Sequence, residues 1–91
     1  MTNYCLRALV TGKVQGVGYR YATQKQALLA NITGHAKNLD DGRVEVLMCG
    51  DSEKVKALSE WLRKGPAQAR VTHVECQIVD VSPMPDCFST Q

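Results

Sequence analysis

Long apolar runs, paired cysteine motifs and a large excess of one charge are all missing from this 91-residue chain. No apolar stretch approaches the roughly 18 residues that span a bilayer, so a membrane-crossing helix is excluded. The opening Met-Thr-Asn-Tyr-Cys-Leu-Arg has no basic segment leading into an apolar one, which argues against a secretory leader and makes the cytoplasm the expected compartment. Eleven Lys and Arg against nine Asp and Glu leave a net +2, too little to hold nucleic acid through phosphate contacts alone. Any anion site must therefore be local. Cys5, Cys49, Cys76 and Cys87 show no C-x-x-C or C-x-x-H spacing, and His35 and His73 lie far apart without acidic partners at ligand spacing. No metal and no cofactor is expected, and both histidines read as surface or strand residues.

The length fits one domain over residues 1–91, with a single core. Tyr4 to Gly12 alternates as a strand, placing Leu6, Ala8 and Val10 on one face and Cys5, Arg7, Leu9 and Thr11 on the other. Gly12 to Gly18 reads as a loop. Beyond Arg20, the spacing of Tyr21, Lys25, Leu28 and Ile32, widened by Ala22 and Leu29, predicts an amphipathic helix ended by Gly34. A second strand over His35 to Asp40 turns at Asp41-Gly42 into a third that starts at Arg43 and is interrupted by Gly50. Asp51 or Ser52 then caps a second helix with Val55, Leu58, Trp61 and Leu62 on its buried stripe, stopped by Gly65-Pro66. Val71 to Val81 makes a fourth strand with Thr72, Val74, Cys76 and Ile78 inward, and the tail with Pro83 and Pro85 holds at most a short edge strand around Phe88.

Strand, helix, strand, strand, helix, strand is the ferredoxin-like βαββαβ pattern, an α+β sandwich with an antiparallel sheet and both helices on one face. Its first and third strands are central neighbours. Cys5 and Cys49 then fall opposite each other on the helix-free face, where they are candidates for a disulfide. Asn38, near the end of the second strand, is expected at one edge of the sheet.

Chemistry concentrates in Gly12-Lys13-Val14-Gln15-Gly16-Val17-Gly18-Tyr19-Arg20. Between a strand and a helix, successive backbone N–H groups and the helix N-terminus can converge on an anion, and Arg20 adds a planar charged fork suited to phosphate oxygens. Other phosphate loops fail against these residues. The Walker A pattern lacks its second glycine, and Lys13 precedes the loop. A dinucleotide fingerprint would need glycine where Tyr21 stands. A C-x5-R phosphatase loop would need cysteine at Val14, and without that nucleophile no phosphocysteine can form. Asp40 and Asp41 read as hairpin residues and Lys13 as a strand-end charge.

This stretch resembles the acylphosphatase signature G-x-V-Q-G-V-x-[FY]-R at every specified position. A second signature is similar too, in Gly34-His35-Ala36-Lys37-Asn38, Gly42-Arg43-Val44 and Gly50, and Gly65-Pro66 with Ala69-Arg70-Val71 resembles the family's link into its last long strand. The resemblance implies a small, free-standing, metal-independent hydrolase of acyl phosphates, releasing carboxylate and inorganic phosphate. It further implies that Arg20 and the backbone amides of Gln15, Gly16, Val17, Gly18 and Tyr19 hold the phosphate while the Asn38 side chain positions the attacking water. A small-molecule acyl phosphate as partner, phosphate as product and inhibitor, and a monomer follow from the same resemblance. Two departures stand out: Leu39 follows Asn38 where many relatives carry a hydroxyl residue, and the chain ends Phe88-Ser89-Thr90-Gln91 where relatives commonly end in Arg. The alternatives are a non-catalytic anion-binding unit, like the one at the start of larger carbamoyl-transferring maturation proteins, and an RNA-binding module. The latter is disfavoured because Leu6 to Thr11 and Arg43 to Gly50 offer no stacking aromatic.

Overall fold

Alternation carries the chain into β1 (Asn3–Lys13), which turns Leu6, Ala8 and Val10 into the core. The structure is a computed structural model that describes residues 3–91; Met1 and Thr2, the first two residues of the opening stretch, lie outside the described residues. The remaining elements are α1 (Tyr19–Leu29), β2 (Thr33–Asn38), β3 (Val44–Asp51), α2 (Ser52–Leu62), β4 (Arg70–Val79) and β5 (Phe88–Thr90). They build a five-stranded sheet in the order β4-β1-β3-β2-β5, antiparallel except where β5 runs parallel to β2. Both helices cover the face that presents Leu6, Ala8, Val10, Val44, Val46 and Met48, the ferredoxin-like α+β arrangement. None of the helices is long and apolar enough to cross a membrane among the described residues.

The face α1 buries differs from the one its apolar spacing predicts. Tyr19, Thr23 and Ala27 are buried, whereas Tyr21, Leu28 and Leu29 are exposed, Leu29 by 75%. The reason lies in the partner surface. β2 presents Gly34 and Ala36 toward the body of α1, where the small Thr23 and Ala27 are buried while Leu28 and Leu29 turn outward. The helix also stops five residues before Gly34. Asn31 takes the left-handed conformation (φ 56°), with Ile32 N–H donating to the Ala27 carbonyl at 2.9 Å and Asn31 N–H to that of Leu28 at 3.3 Å. This is a Schellman ending with Asn in place of Gly. Gly34 instead lies within β2, where a Cβ would fall 1.9 Å from the Leu47 carbonyl oxygen.

Three further expectations are corrected. β2 covers Thr33–Asn38 rather than His35 to Asp40, and it is not an edge, since β5 lies outside it. β3 runs through Gly50 to Asp51. In β4 only Val74 is buried among Thr72, Val74, Cys76 and Ile78. A bulge opposite Thr11 and Gly12 leaves Thr72 as the extra residue, so that Val71 packs toward the core in its place. Cys76 and Ile78 do face the helix side, but on an edge strand that the helices do not reach across. Asp51 caps α2, accepting from Lys54 N–H at 3.4 Å. Trp61 is half-buried, stacked on Tyr19 with ring centroids 6.1 Å apart.

Candidate active site

The segment from Val14 to Gly18 links β1 to α1 and is shaped by two glycines in the left-handed region, Gly16 (φ 76°) and Gly18 (φ 78°). A Cβ at either would meet nothing within 4 Å, so their requirement is conformational rather than steric. Val14 is buried and anchors the start of the loop in the core. At the other end Tyr19, the first residue of α1, is buried and donates its hydroxyl hydrogen bond to the Leu62 carbonyl at 2.7 Å. Burial, and to a lesser degree the neighbouring Cys76, pushes this phenol far above the ordinary tyrosine range. Thr23 closes the first turn by donating to the Tyr19 carbonyl at 2.8 Å. Gly18 itself caps α1 without a side-chain acceptor, and no acidic residue occupies the first turn. A helix end of this kind, following glycines that turn their amides freely, suits an anion.

Arg20 and Asn38 come from different elements and meet through a third. The Arg20 guanidinium donates to the Gln91 main-chain oxygen. The Asn38 main-chain N–H donates to the same atom at 3.3 Å, while Gln91 N–H donates to the Ala36 carbonyl at 2.8 Å. Residues 88–91 thus lie beside β2 and hold Arg20 next to Asn38. Alternation puts Asn38 on the helix side of β2, since Ala36, two residues before it, and Val44, its register partner on β3, both face the core. Its side-chain oxygen Oδ1 is buried and has no hydrogen-bond partner among the described residues. A buried amide oxygen without a donor is costly, by about 1–3 kcal/mol. A water bound there would relieve that cost and be oriented by it.

Gln15 belongs to this assembly through its side chain. Nε2 donates to the Leu39 carbonyl at 2.8 Å and to the Arg43 carbonyl at 3.0 Å, bridging the loop to the β2–β3 hairpin. The sequence pattern contains this glutamine but says nothing of where its side chain points, and the contribution of Gln91 leaves no sequence signal. In the hairpin, Asp41 accepts from Arg43 N–H at 3.1 Å and from Arg43 Nε at 2.8 Å. The main-chain bond first, and the guanidinium second, hold the Asp41 carboxyl below the ordinary range. Asp40 is exposed, and both residues serve the turn.

The opposite face of the sheet is a separate environment. His35 Nε2 lies 2.9 Å from Glu45 Oε1, with Arg7 3.9 Å from the same carboxylate. Cys5 and Cys49 are register partners there, their sulfurs joined, buried with Leu47 under Val79 and Val81. Cys76 and Cys87 are free, and among the described residues no group of three or more His, Cys, Asp or Glu side chains is gathered in a way that could hold a metal ion.

The acylphosphatase family model matches residues 6–89, spanning both the loop and the Asn38 hairpin. The chain belongs to the acylphosphatase family. It is 56% identical over 88 residues to an acylphosphatase of Chromohalobacter salexigens, covering 97% of each chain. Among solved structures it resembles an acylphosphatase from Coxiella burnetii, with a TM-score of 0.92 and 37% identity over 98% of this chain and 93% of that one. It also resembles the acylphosphatase of Bacillus subtilis, with a TM-score of 0.90 and 32% identity over 99% of both chains. The likeness to these two acylphosphatase structures extends over 98% and 99% of the chain.

Proposed function

We propose that the chain, acting as one domain of residues 1–91, hydrolyses acyl phosphates to a carboxylate and inorganic phosphate. The backbone amides of Gln15, Gly16, Val17, Gly18 and Tyr19, with the Arg20 guanidinium, hold the phosphate as a cradle. Asn38 Oδ1 accepts one hydrogen of the attacking water and aims its oxygen at phosphorus. As the new P–O bond forms, the bond from phosphorus to the acyl oxygen breaks with its electron pair leaving on the carboxylate, and the water's proton passes to a phosphate oxygen. A carboxylate is stable as an anion at neutral pH, with a pKa of about 4, so its departure needs no strong general acid. Positioning and charge stabilisation of the equatorial oxygens then supply the rate.

The observation that carries this reading is the buried, unpartnered Asn38 Oδ1 beside an arginine that is held from a separate element. The reaction as written uses no metal, and the protein acts as a cytoplasmic monomer on a small substrate, with phosphate as a competitive inhibitor. Steady-state hydrolysis of benzoyl phosphate in excess EDTA tests it, using the native chain and Asn38→Ala. Activity that survives EDTA and falls in kcat at nearly constant KM for the variant is the expected result. Turnover abolished by EDTA, or unchanged in Asn38→Ala, defeats the mechanism.

A further inference from the structure

The hydrogen bonds of the loop point to a role in the reaction for the Gln15 side chain. Two carbonyl oxygens, those of Leu39 and Arg43, receive its Nε2 at 2.8 Å and 3.0 Å. Only the amino end of the amide can serve two acceptors, and its two N–H groups match them in number. Both carbonyls also close the hairpin: Leu39 N–H donates to Arg43 O at 2.8 Å, and Gly42 N–H to Leu39 O at 3.2 Å. Leu39 is the residue after Asn38. Among the described residues no other hydrogen bond joins segment 14–18 to residues 39–43.

We propose that Gln15 is the positioning residue that sets the distance between the loop amides of the phosphate cradle and Asn38, as Gln91 does for Arg20. It touches neither the phosphate nor the water with its side chain. Its backbone lies in the cradle and its side chain holds the strand end that carries Asn38, so one residue spans both halves of the site. The proposal rests on the reading of the loop and of Asn38 given above. It adds that each half is fixed by its own contacts, the loop by Val14 and Tyr19 and the hairpin by its turn, while Gln15 ties the loop to the hairpin. In-line attack tolerates little error in that separation, since a misplacement of about 1 Å costs on the order of a hundredfold in rate.

The test is a cycle of Gln15→Met, Asn38→Ala and the double variant, assayed on benzoyl phosphate with inorganic phosphate as inhibitor. Gln15→Met is expected to lower kcat by about tenfold to a hundredfold. The phosphate inhibition constant stays near that of the native chain, because the cradle amides remain. On the Asn38→Ala background the same change costs little more, since there is no longer an Asn38 to misplace. A loss that repeats in full on that background, or a phosphate inhibition constant that rises in step with it, overturns the proposal while leaving the Asn38 mechanism standing. Full turnover in Asn38→Ala alone overturns both. Gln15→Glu, of nearly equal volume, carries the test if Gln15→Met does not fold. Its carboxylate opposes two carbonyls, whereas its protonated form regains an O–H donor, so its deficit in kcat should shrink as pH falls. A deficit independent of pH counts against the link.

Discussion

The Arg20 guanidinium and the Asn38 main-chain N–H converge on one acceptor, the Gln91 main-chain oxygen. The first residue lies in α1 and the second at the end of β2, elements with no covalent reason to keep a fixed separation. Their shared acceptor supplies one. The three-residue edge strand serves this contact: β5, fixed by the buried Phe88 ring and by Gln24 Nε2 donating to the Phe88 carbonyl at 3.0 Å, delivers Gln91 to this position.

This geometry makes Arg20→Lys an unequal exchange. An arginine can spend one N–H on Gln91 and turn others of its planar fork toward phosphate oxygens, whereas an ammonium offers a point charge. Benzoyl phosphate kinetics should show kcat/KM reduced by at least about tenfold in Arg20→Lys, with a raised phosphate inhibition constant. A lysine variant equal to the native chain would mean that charge alone suffices.

Gly12, in β1, and Gly18, at the end of the loop, should separate by mechanism. At Gly12 (φ 133°) a Cβ would fall 2.1 Å from the Arg70 carbonyl oxygen, a backbone clash between β1 and β4 that neither strand can relieve without shifting. At Gly18 (φ 78°) a Cβ meets nothing within 4 Å, so alanine there faces only the left-handed penalty of about 1–2 kcal/mol. Gly12→Ala should therefore be the more destabilised variant in urea unfolding. Gly18→Ala should fold and yet lose much of its activity, because relief of its strained φ reorients the amides at the head of α1. Equal stability of the two, or a fully active Gly18→Ala, would contradict this division.

How far the sequence foretold the structure depends on whether the local pattern named its own partner. β1 and β3 did: their alternating residues set both the register that opposes Cys5 to Cys49 and the core face from Leu6 to Val10. The face of α1 did not, because hydrophobic spacing assumes that the larger apolar side chains go inward, and only the Gly34 and Ala36 surface of β2 reverses that. Thr72 was misplaced because a bulge adds one residue and moves each earlier side chain to the other face. In the site, the glycine-rich pattern announces a loop and Arg20 by chemistry, but Asn38 alone looks like an ordinary residue near a turn. Its distinguishing property, a buried oxygen without a donor, exists only once β2, β5 and α1 have assembled.

The bridge between Cys5 and Cys49 closes a sequence separation of 44 residues across the two central strands. Constraining a loop of that size in the unfolded chain stabilises the native state by about 2–4 kcal/mol. The site lies on the helix side of the sheet and the bridge on the other. Cys5→Ala with Cys49→Ala should therefore lower Tm by about 8 °C or more, while kcat/KM at room temperature stays close to native. A double variant with unchanged Tm would remove the bridge as a stabilising element, and one that is folded but inactive would show that the two faces are coupled.

Tyr19 sits at the head of α1 with its hydroxyl bound to the Leu62 carbonyl and its ring on Trp61. Because burial raises its pKa in the folded state, the native phenol stays protonated where an unfolded one, with a pKa of about 10, begins to ionise. The unfolded chain then binds fewer protons than the native one. Stability owed to this residue is thus fully present below about pH 10 and is lost as pH rises from there toward the folded pKa, by up to about 1.4 kcal/mol per pH unit. Tyr19→Phe removes the hydroxyl and leaves the Leu62 carbonyl without its donor, a cost of about 1–3 kcal/mol near neutrality. The variant has no phenol at this position to ionise, so its deficit relative to the native chain should narrow above about pH 10. Urea unfolding of both proteins from about pH 7 to about pH 11 reads this directly. A gap that stays constant across that range would mean that the Tyr19 phenol ionises as readily in the fold as outside it, and that burial does not hold its proton.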